Sequence, residues 1–181
     1  MGSMGGFGVL RGLILALGIG VTTMSAGSWS QDVPGIQSPD CRPQTGQVDG
    51  MPWQRIRLVG QESFGSVGKA GISIAVRVAS SRSQRQAGMQ HLCPESIRLN
   101  PMLFVFDSPG RVGFHMDNVH APLDIVFMDA DGYVREIRRM TPGETVVRPL
   151  QPIAYALELL SGEVDRLGIE TGMHMIRDQD G

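Results

Sequence analysis

The sequence predicts an α+β domain, rich in strands, whose mixed sheet is strongly bent or barrel-like and carries one or two short helices. Three observations predict it. Short alternating or continuous apolar runs recur along the second half of the chain. Turn signals separate them: Ser108-Pro109-Gly110, Asp131-Gly132 and Pro142-Gly143. There is no βαβαβ rhythm, and neither a GxGxxG nor a P-loop pattern, so a nucleotide-binding doubly wound sheet is not expected.

Taken in order, Arg55-Ile56-Arg57-Leu58 alternates and reads as a strand. The glycine-rich segment Gly60 to Gly71 reads as a hairpin loop or irregular connection. Ile72, Ile74, Val76 and Val78 alternate with small or polar residues, the pattern of a half-buried strand. Ser81 or Ser83 can cap a short helix running through Arg85 to about Gln90, and Pro94 can open a second helical turn around Glu95 to Leu99. Met102 to Phe106 is a continuous apolar run, expected to be a buried strand. Val112, Phe114 and Met116 alternate with Gly113, His115 and Asp117, which predicts another strand. Leu123 to Met128 and Tyr133 to Met140 form a hairpin about the Asp131-Gly132 turn. Pro142-Gly143, Pro149 and Pro152 mark a long exposed loop. Tyr155 to Leu160, a helix over Gly162–Gly168 and a last strand near Met173–Ile176 complete the domain.

The chain of 181 residues fits one domain plus additional segments. Residues 1–30 read as a signal peptide: Arg11, the apolar run Leu13 to Val21, then small residues at Ser25, Ala26, Gly27, Ser28 and Ser30. The apolar run is shorter than the ~20 residues a spanning helix needs. Residues 31–52, rich in Pro, Gly, Gln and Asp, are expected to be a flexible linker, and 53–181 the domain. The expected localisation is therefore periplasmic or secreted, with membrane contact only during export or through an uncleaved N-terminal anchor. A net charge of -2 and a pI near 6.1 lack the basic footprint of a nucleic-acid binder. Cys41 and Cys93 are too far apart for a CxxC motif; in an oxidising compartment they can form one disulfide, or Cys93 can serve as a small buried hydrophobe.

Several motifs resemble one family. Phe114 to Asp129 (FHMDNVHAPLDIVFMD), followed by Asp131-Gly132, is similar to its aromatic-Met-Lys-Asn-Thr stretch leading into Pro-Leu-Asp and an Asp-Gly turn. Gln84 to Met89, Pro101 to Phe106, and Ala156-Leu157-Glu158-Leu159 with Gly162 match further motifs in the same order. The run from about Ile72 to Ile176 thus resembles the domain of unknown function 192 family, also called uncharacterised protein family 0127. The resemblance implies a compact β-rich, often exported domain and supplies no catalytic mechanism. His115 stands where an aromatic is usual, Asp117 where Lys is usual, Gln90 for a Met and Pro101 for a Gly. The change to Asp117 inverts a charge beside the most distinctive motif.

The segment His115 to Asp124 is the main candidate site. In one reading Asn118, Asp124 and Arg85 hydrogen-bond a small polar or carbohydrate-like ligand; in the alternative Asn118 and Asp124 only build turns. A second reading draws a metal site from His115, Asp117 and His120, with His91 or the thioethers of Met89 and Met116 as further ligands, although the spacing matches no metal motif. A nucleophilic role for Cys93 has no GxSxG-like or activating context. Glu158, in an apolar run, is expected on the solvent face of a strand or paired, with Arg85 as a partner. The expectation is a binding or accessory module, with no cofactor, for a small polar ligand or an envelope protein; the alternative is a metal-binding protein or metal-dependent enzyme using His115, Asp117 and His120.

Overall fold

The computed structural model describes residues 41–60 and 71–177. The signal-peptide reading of residues 1–30, the first part of the linker and most of the expected Gly60–Gly71 loop lie outside the described residues. Seven strands are described: β1 (Trp53–Val59), β2 (Ile72–Ala79), β3 (Met102–Gly110), β4 (Leu123–Met128), β5 (Val134–Met140), β6 (Ile153–Leu160) and β7 (His174–Arg177). Four short helices accompany them: α1 (Gly46–Asp49), α2 (Arg82–Ala87), α3 (Pro94–Leu99) and α4 (Glu163–Leu167).

The strands form one mixed sheet in the order β5-β4-β6-β3-β2-β1-β7. β2 and β3 run parallel and every other neighbouring pair antiparallel. A parallel pair needs a crossover, and residues 80–101 with α2 and α3 provide it. The sheet curls into a half-barrel until its two edge strands meet. Tyr133, just before β5, bridges His174 of β7, and the Val134 N–H donates to the Met173 carbonyl at 2.8 Å. The α+β, β-rich and barrel-like class expected from the sequence is the class observed.

β4 and β6 lie in the interior of the sheet and are buried on both faces. That explains why they read as apolar runs rather than as alternating patterns. Side chains alternate between two cores. The concave core draws on all seven strands, with Ile56, Val76, Leu103, Val126, Val134, Leu157 and Met175 among its members. The convex core draws mainly on the middle strands, through Met102, Phe104, Ile125, Phe127 and Ala156. Met89, Leu92, Ile97 and the 111–122 loop cover it.

Two expectations are corrected. The alternation from Val112 to Met116 predicts faces correctly, since Phe114 and Met116 are buried and His115 is exposed, but the segment is not a ladder strand. Among the described residues it pairs only through the Phe114–Val147 bridge, and no described strand runs beside the rest of it. Residues 41–52 are not a linker. They hold α1, bury Val48 and Met51 in the convex core, and are tied to the crossover by a Cys41–Cys93 disulfide with a Cα–Cα distance of 4.8 Å. A parallel bridge between Arg42 and Leu92 flanks that bond. Two apolar side chains and a covalent tether offset an ordering cost that composition alone suggests is prohibitive.

Candidate binding site

A cavity of about 70 Å³ opens on the convex side of the sheet. Three structural pieces surround it: β3 and β6 beneath, α2 and its exit turn on one flank, and the 111–122 loop above. α2 is placed by a capping box, in which a side chain and a backbone amide at each end of the first turn satisfy one another. The Ser81 Oγ accepts from the Gln84 N–H at 3.2 Å, and the Gln84 Oε1 accepts from the Ser81 N–H at 2.9 Å. The helix ends at Gly88, whose φ is +50° and whose α-carbon faces the Phe104 ring. Glycine is favoured there because it has no Cβ to strain a left-handed backbone. This tight exit brings Met89 into the cavity wall.

The walls are aromatic and aliphatic. Phe114 stands edge-on to Phe104 and to Phe106, with centroids 5.5 Å and 6.2 Å away. Edge-to-face contact of this kind sets the positive rim of one ring against the negative face of the next. Val112, Val119 and Met89 complete the apolar lining. Glu158 from the second half of β6 also lines this cavity. Its register partners are Met102 on β3 and Ile125 on β4, so no polar neighbour sits beside it in the sheet. Glu158 is only 5% exposed, and no hydrogen-bond or ion-pair partner reaches it among the described residues. Burial pushes its carboxyl up to about 8, because a charge there would have to leave water without compensation. The group therefore holds its proton at neutral pH.

Arg85, Gln86, Gln90 and His115 contribute the polar part of the lining. Arg85 donates to the Ser80 carbonyl and to the Val105 carbonyl (2.9 Å), approaches Asp107 at 3.8 Å and lies over the Phe106 ring at 5.4 Å. Its guanidinium is thus held by several partners. The His115 Nδ1 lies 3.3 Å from the Asp117 carboxylate, and both side chains are exposed.

The sequence-derived site residues separate on folding. Arg85 and His115 reach the cavity. Asn118 shapes the loop that covers it. Its backbone is left-handed (φ 56°), its carbonyl accepts from the His91 N–H at 2.7 Å, and its Nδ2 donates to the Gln90 Oε1 at 3.3 Å. Asn tolerates that backbone better than most residues, which suits it to a turn. Asp124 belongs elsewhere. It is buried, pairs with the Arg139 Nε at 3.0 Å, and accepts from the Gly162 N–H at 2.6 Å and the Ser161 hydroxyl at 3.3 Å. A longer contact from the Val164 N–H, at 3.4 Å, completes the set that anchors the start of α4. With these donors Asp124 has no capacity left for a ligand.

The three expected metal ligands are not gathered. His115 faces Asp117, whereas the His120 ring lies near His91, 6.5 Å between centroids, with its Nε2 buried and unbonded. Among the described residues no group of three or more His, Cys, Asp and Glu side chains is disposed to hold a metal ion. Cys93 is bonded to Cys41 and so offers no thiolate nucleophile. The expectation for Glu158 is also corrected: it is neither on a solvent face nor in an ion pair with Arg85, although both side chains line one cavity. Its signal was present in the sequence as a single acid inside a run that is otherwise apolar.

No curated protein matches the chain. Several solved structures resemble it, among them two bacterial proteins. One is a candidate transcription regulator from Sinorhizobium meliloti 1021, 30% identical, with a TM-score of 0.59 over 70% of this chain and 95% of that one. The other is a protein of unknown function from Novosphingobium aromaticivorans DSM 12444, 24% identical, with a TM-score of 0.59 over 75% of this chain and 93% of that one, which supports the fold alone. The model of domain of unknown function 192 (DUF192), described as Uncharacterized ACR, matches residues 65–176, and the chain belongs to this family.

Proposed function

We propose that the domain binds a small molecule in the Glu158 cavity, the ligand having an apolar body and one polar group that meets the carboxyl. One observation carries the reading: Glu158 is an almost fully buried acid that lines a cavity and has no protein partner among the described residues. Buried polar groups are nearly always satisfied, and leaving one unmade costs about 1–3 kcal/mol. A ligand that completes the hydrogen bond recovers that cost. The interior is about 70 Å³. A cavity that accepts benzene measures roughly twice that, ~150 Å³. The space suits a group of a few heavy atoms, so a sugar ring would have to stay at the rim.

Export fits this reading. The Arg11 to Val21 pattern is that of a signal peptide, and a disulfide such as Cys41–Cys93 persists in oxidising compartments. Periplasmic recovery of a chain lacking residues 1–30, established by fractionation and N-terminal sequencing, is the expected outcome; an intact cytosolic chain with free thiols would refute it.

Binding is tested by thermal shift with small alcohols, amides, carboxylic acids and ammonium compounds. At least one class should raise the Tm of the protein, and both Glu158→Gln and the cavity-filling Val112→Phe should weaken that shift. No shift with any class, or a shift that survives both substitutions unchanged, would sink the reading.

A further inference from the structure

The cavity's chemistry narrows the ligand further, resting on the binding role proposed above. We propose that the Glu158 cavity takes the head group of a small, free organic ammonium ion, with the Glu158 carboxylate as its counter-ion and the Phe104, Phe106 and Phe114 rings as its walls. Three features support this class over a neutral or anionic ligand. The first is the acid itself: Glu158 is buried, without a partner among the described residues, and part of the cavity wall, so a cation is the group that compensates its charge most fully once it ionises. The second is the aromatic lining. Three phenyl rings line one small space, and aromatic rings attract cations, most strongly where water is excluded. Phe106 already carries the Arg85 guanidinium at 5.4 Å. The third is the distribution of the other charges. Among the described residues, Arg85 and His115 are the other titratable groups lining the cavity, and each has an acid beside it, Asp107 at 3.8 Å and Asp117 at 3.3 Å. From the flanking strands, β3 lines the cavity with Phe104 and Phe106, and the register partners of Glu158 on β3 and β4, Met102 and Ile125, are apolar. An anion would find at Glu158 only the single O–H of the protonated acid, while both cations lining the cavity already have acids beside them.

The binding step balances simply. Glu158 enters as the neutral acid and loses its proton to solvent, and the carboxylate formed pairs with the entering ammonium. Binding therefore releases one proton wherever Glu158 is protonated beforehand.

Choline and its neutral isostere 3,3-dimethylbutan-1-ol test the assignment, since they share shape and differ in charge. Calorimetry on the whole protein should show choline binding at least about tenfold more tightly, a difference equivalent to ~1.4 kcal/mol. Choline affinity should rise by about tenfold per pH unit up to about 8 and level off above it, with proton release below that point. Glu158→Gln should abolish both the preference and the pH dependence. Should that variant fail to fold, the choline-to-alcohol ratio and its pH profile in the unsubstituted protein decide the matter alone. Equal or tighter binding of the alcohol, or choline affinity that ignores pH, overturns the ammonium assignment while leaving the cavity a binding site. If neither probe binds but another class shifts the Tm, the ammonium assignment again falls alone. If nothing binds, both proposals fall.

Discussion

The β4–β6 strand pair buries one acid on each face, and the two faces treat their acid in opposite ways. On the concave side Asp124 meets Arg139, the Ser161 hydroxyl and the amides that open α4. On the convex side Glu158 meets phenyl rings, aliphatic side chains and a cavity. Both acids are almost fully buried, 3% and 5% exposed, so burial does not distinguish them. What distinguishes them is the number of donors within reach. A satisfied buried acid holds a fold together, whereas an unsatisfied one costs stability and persists only beside something that repays it. This contrast separates a structural residue of the distinctive Pro-Leu-Asp motif from a candidate binding residue.

Substitutions can break or sharpen this contrast. The largest expected effect belongs to Glu158→Gln. A carboxyl raised from 4.5 to about 8 on folding binds more protons in the native state between those values, so native stability falls as pH rises through that window. Below it the acid is protonated in both states and the cost vanishes. Above that window the cost is complete, on the order of 5 kcal/mol, and Glu158→Gln should be more stable than the natural protein by an amount of that order. Urea denaturation at pH 5 and pH 9 measures it. Equal stabilities at pH 9 would mean that Glu158 is satisfied after all, and the contrast would collapse.

Asp124→Ala should act in the opposite direction, destabilising by about 1–3 kcal/mol, because it leaves the Gly162 and Val164 amides without their acceptor, while the half-exposed Arg139 guanidinium turns to water. The same urea titration at pH 7 reads it, and a loss below about 1 kcal/mol would place Asp124 outside the structural role. Removing the tether with the double change Cys41→Ser and Cys93→Ser should cost about 2–4 kcal/mol, since the bond closes a long loop in the unfolded chain. It touches neither acid, so the pH dependence due to Glu158 should survive it. The smallest effect is at the α2 cap. Ser81→Ala should cost about 1 kcal/mol and loosen the helix that flanks the Glu158 cavity, with no change near Asp124. Hydrogen exchange at the Gln84 and Arg85 amides, compared with that at Gly162, tests whether the two faces respond independently.

Much of the architecture was legible in the residues. Alternation located β1 and β2, apolar runs located β3, β4 and β6, and Asp131-Gly132 located the β4–β5 turn. There the Asp129 carboxylate accepts from both the Asp131 and Tyr133 amides, a local device that needs no tertiary context. α1 was missed because four residues without a side-chain cap form a helix only when Val48 is buried and Cys41 is tethered. The segment 112–116 was misread because alternation reports an extended chain between two environments, and a ladder also requires a partner strand. The candidate site was less legible than the fold. Arg85 was singled out as a ligand-binding residue and His115 as a metal ligand, and both line the cavity, but the acid that lines it with them was taken for a surface or ion-paired residue.

By itself, the sequence determined the strand-rich class, most element positions and the family, and narrowed the cap of α2 to Ser81 or Ser83. Those features depend on periodicity, on turn chemistry and on hydrogen bonds between residues a few positions apart. Only the tertiary structure decided which buried acid is satisfied, that Cys41 reaches Cys93, and that the His115, Asp117 and His120 side chains do not converge. Each depends on which groups distant in the chain arrive beside one another. The alternation along β4 and β6 sends Asp124 and Glu158 to opposite faces, but what awaits them there is set by α4 on one side and by α2 and the 111–122 loop on the other.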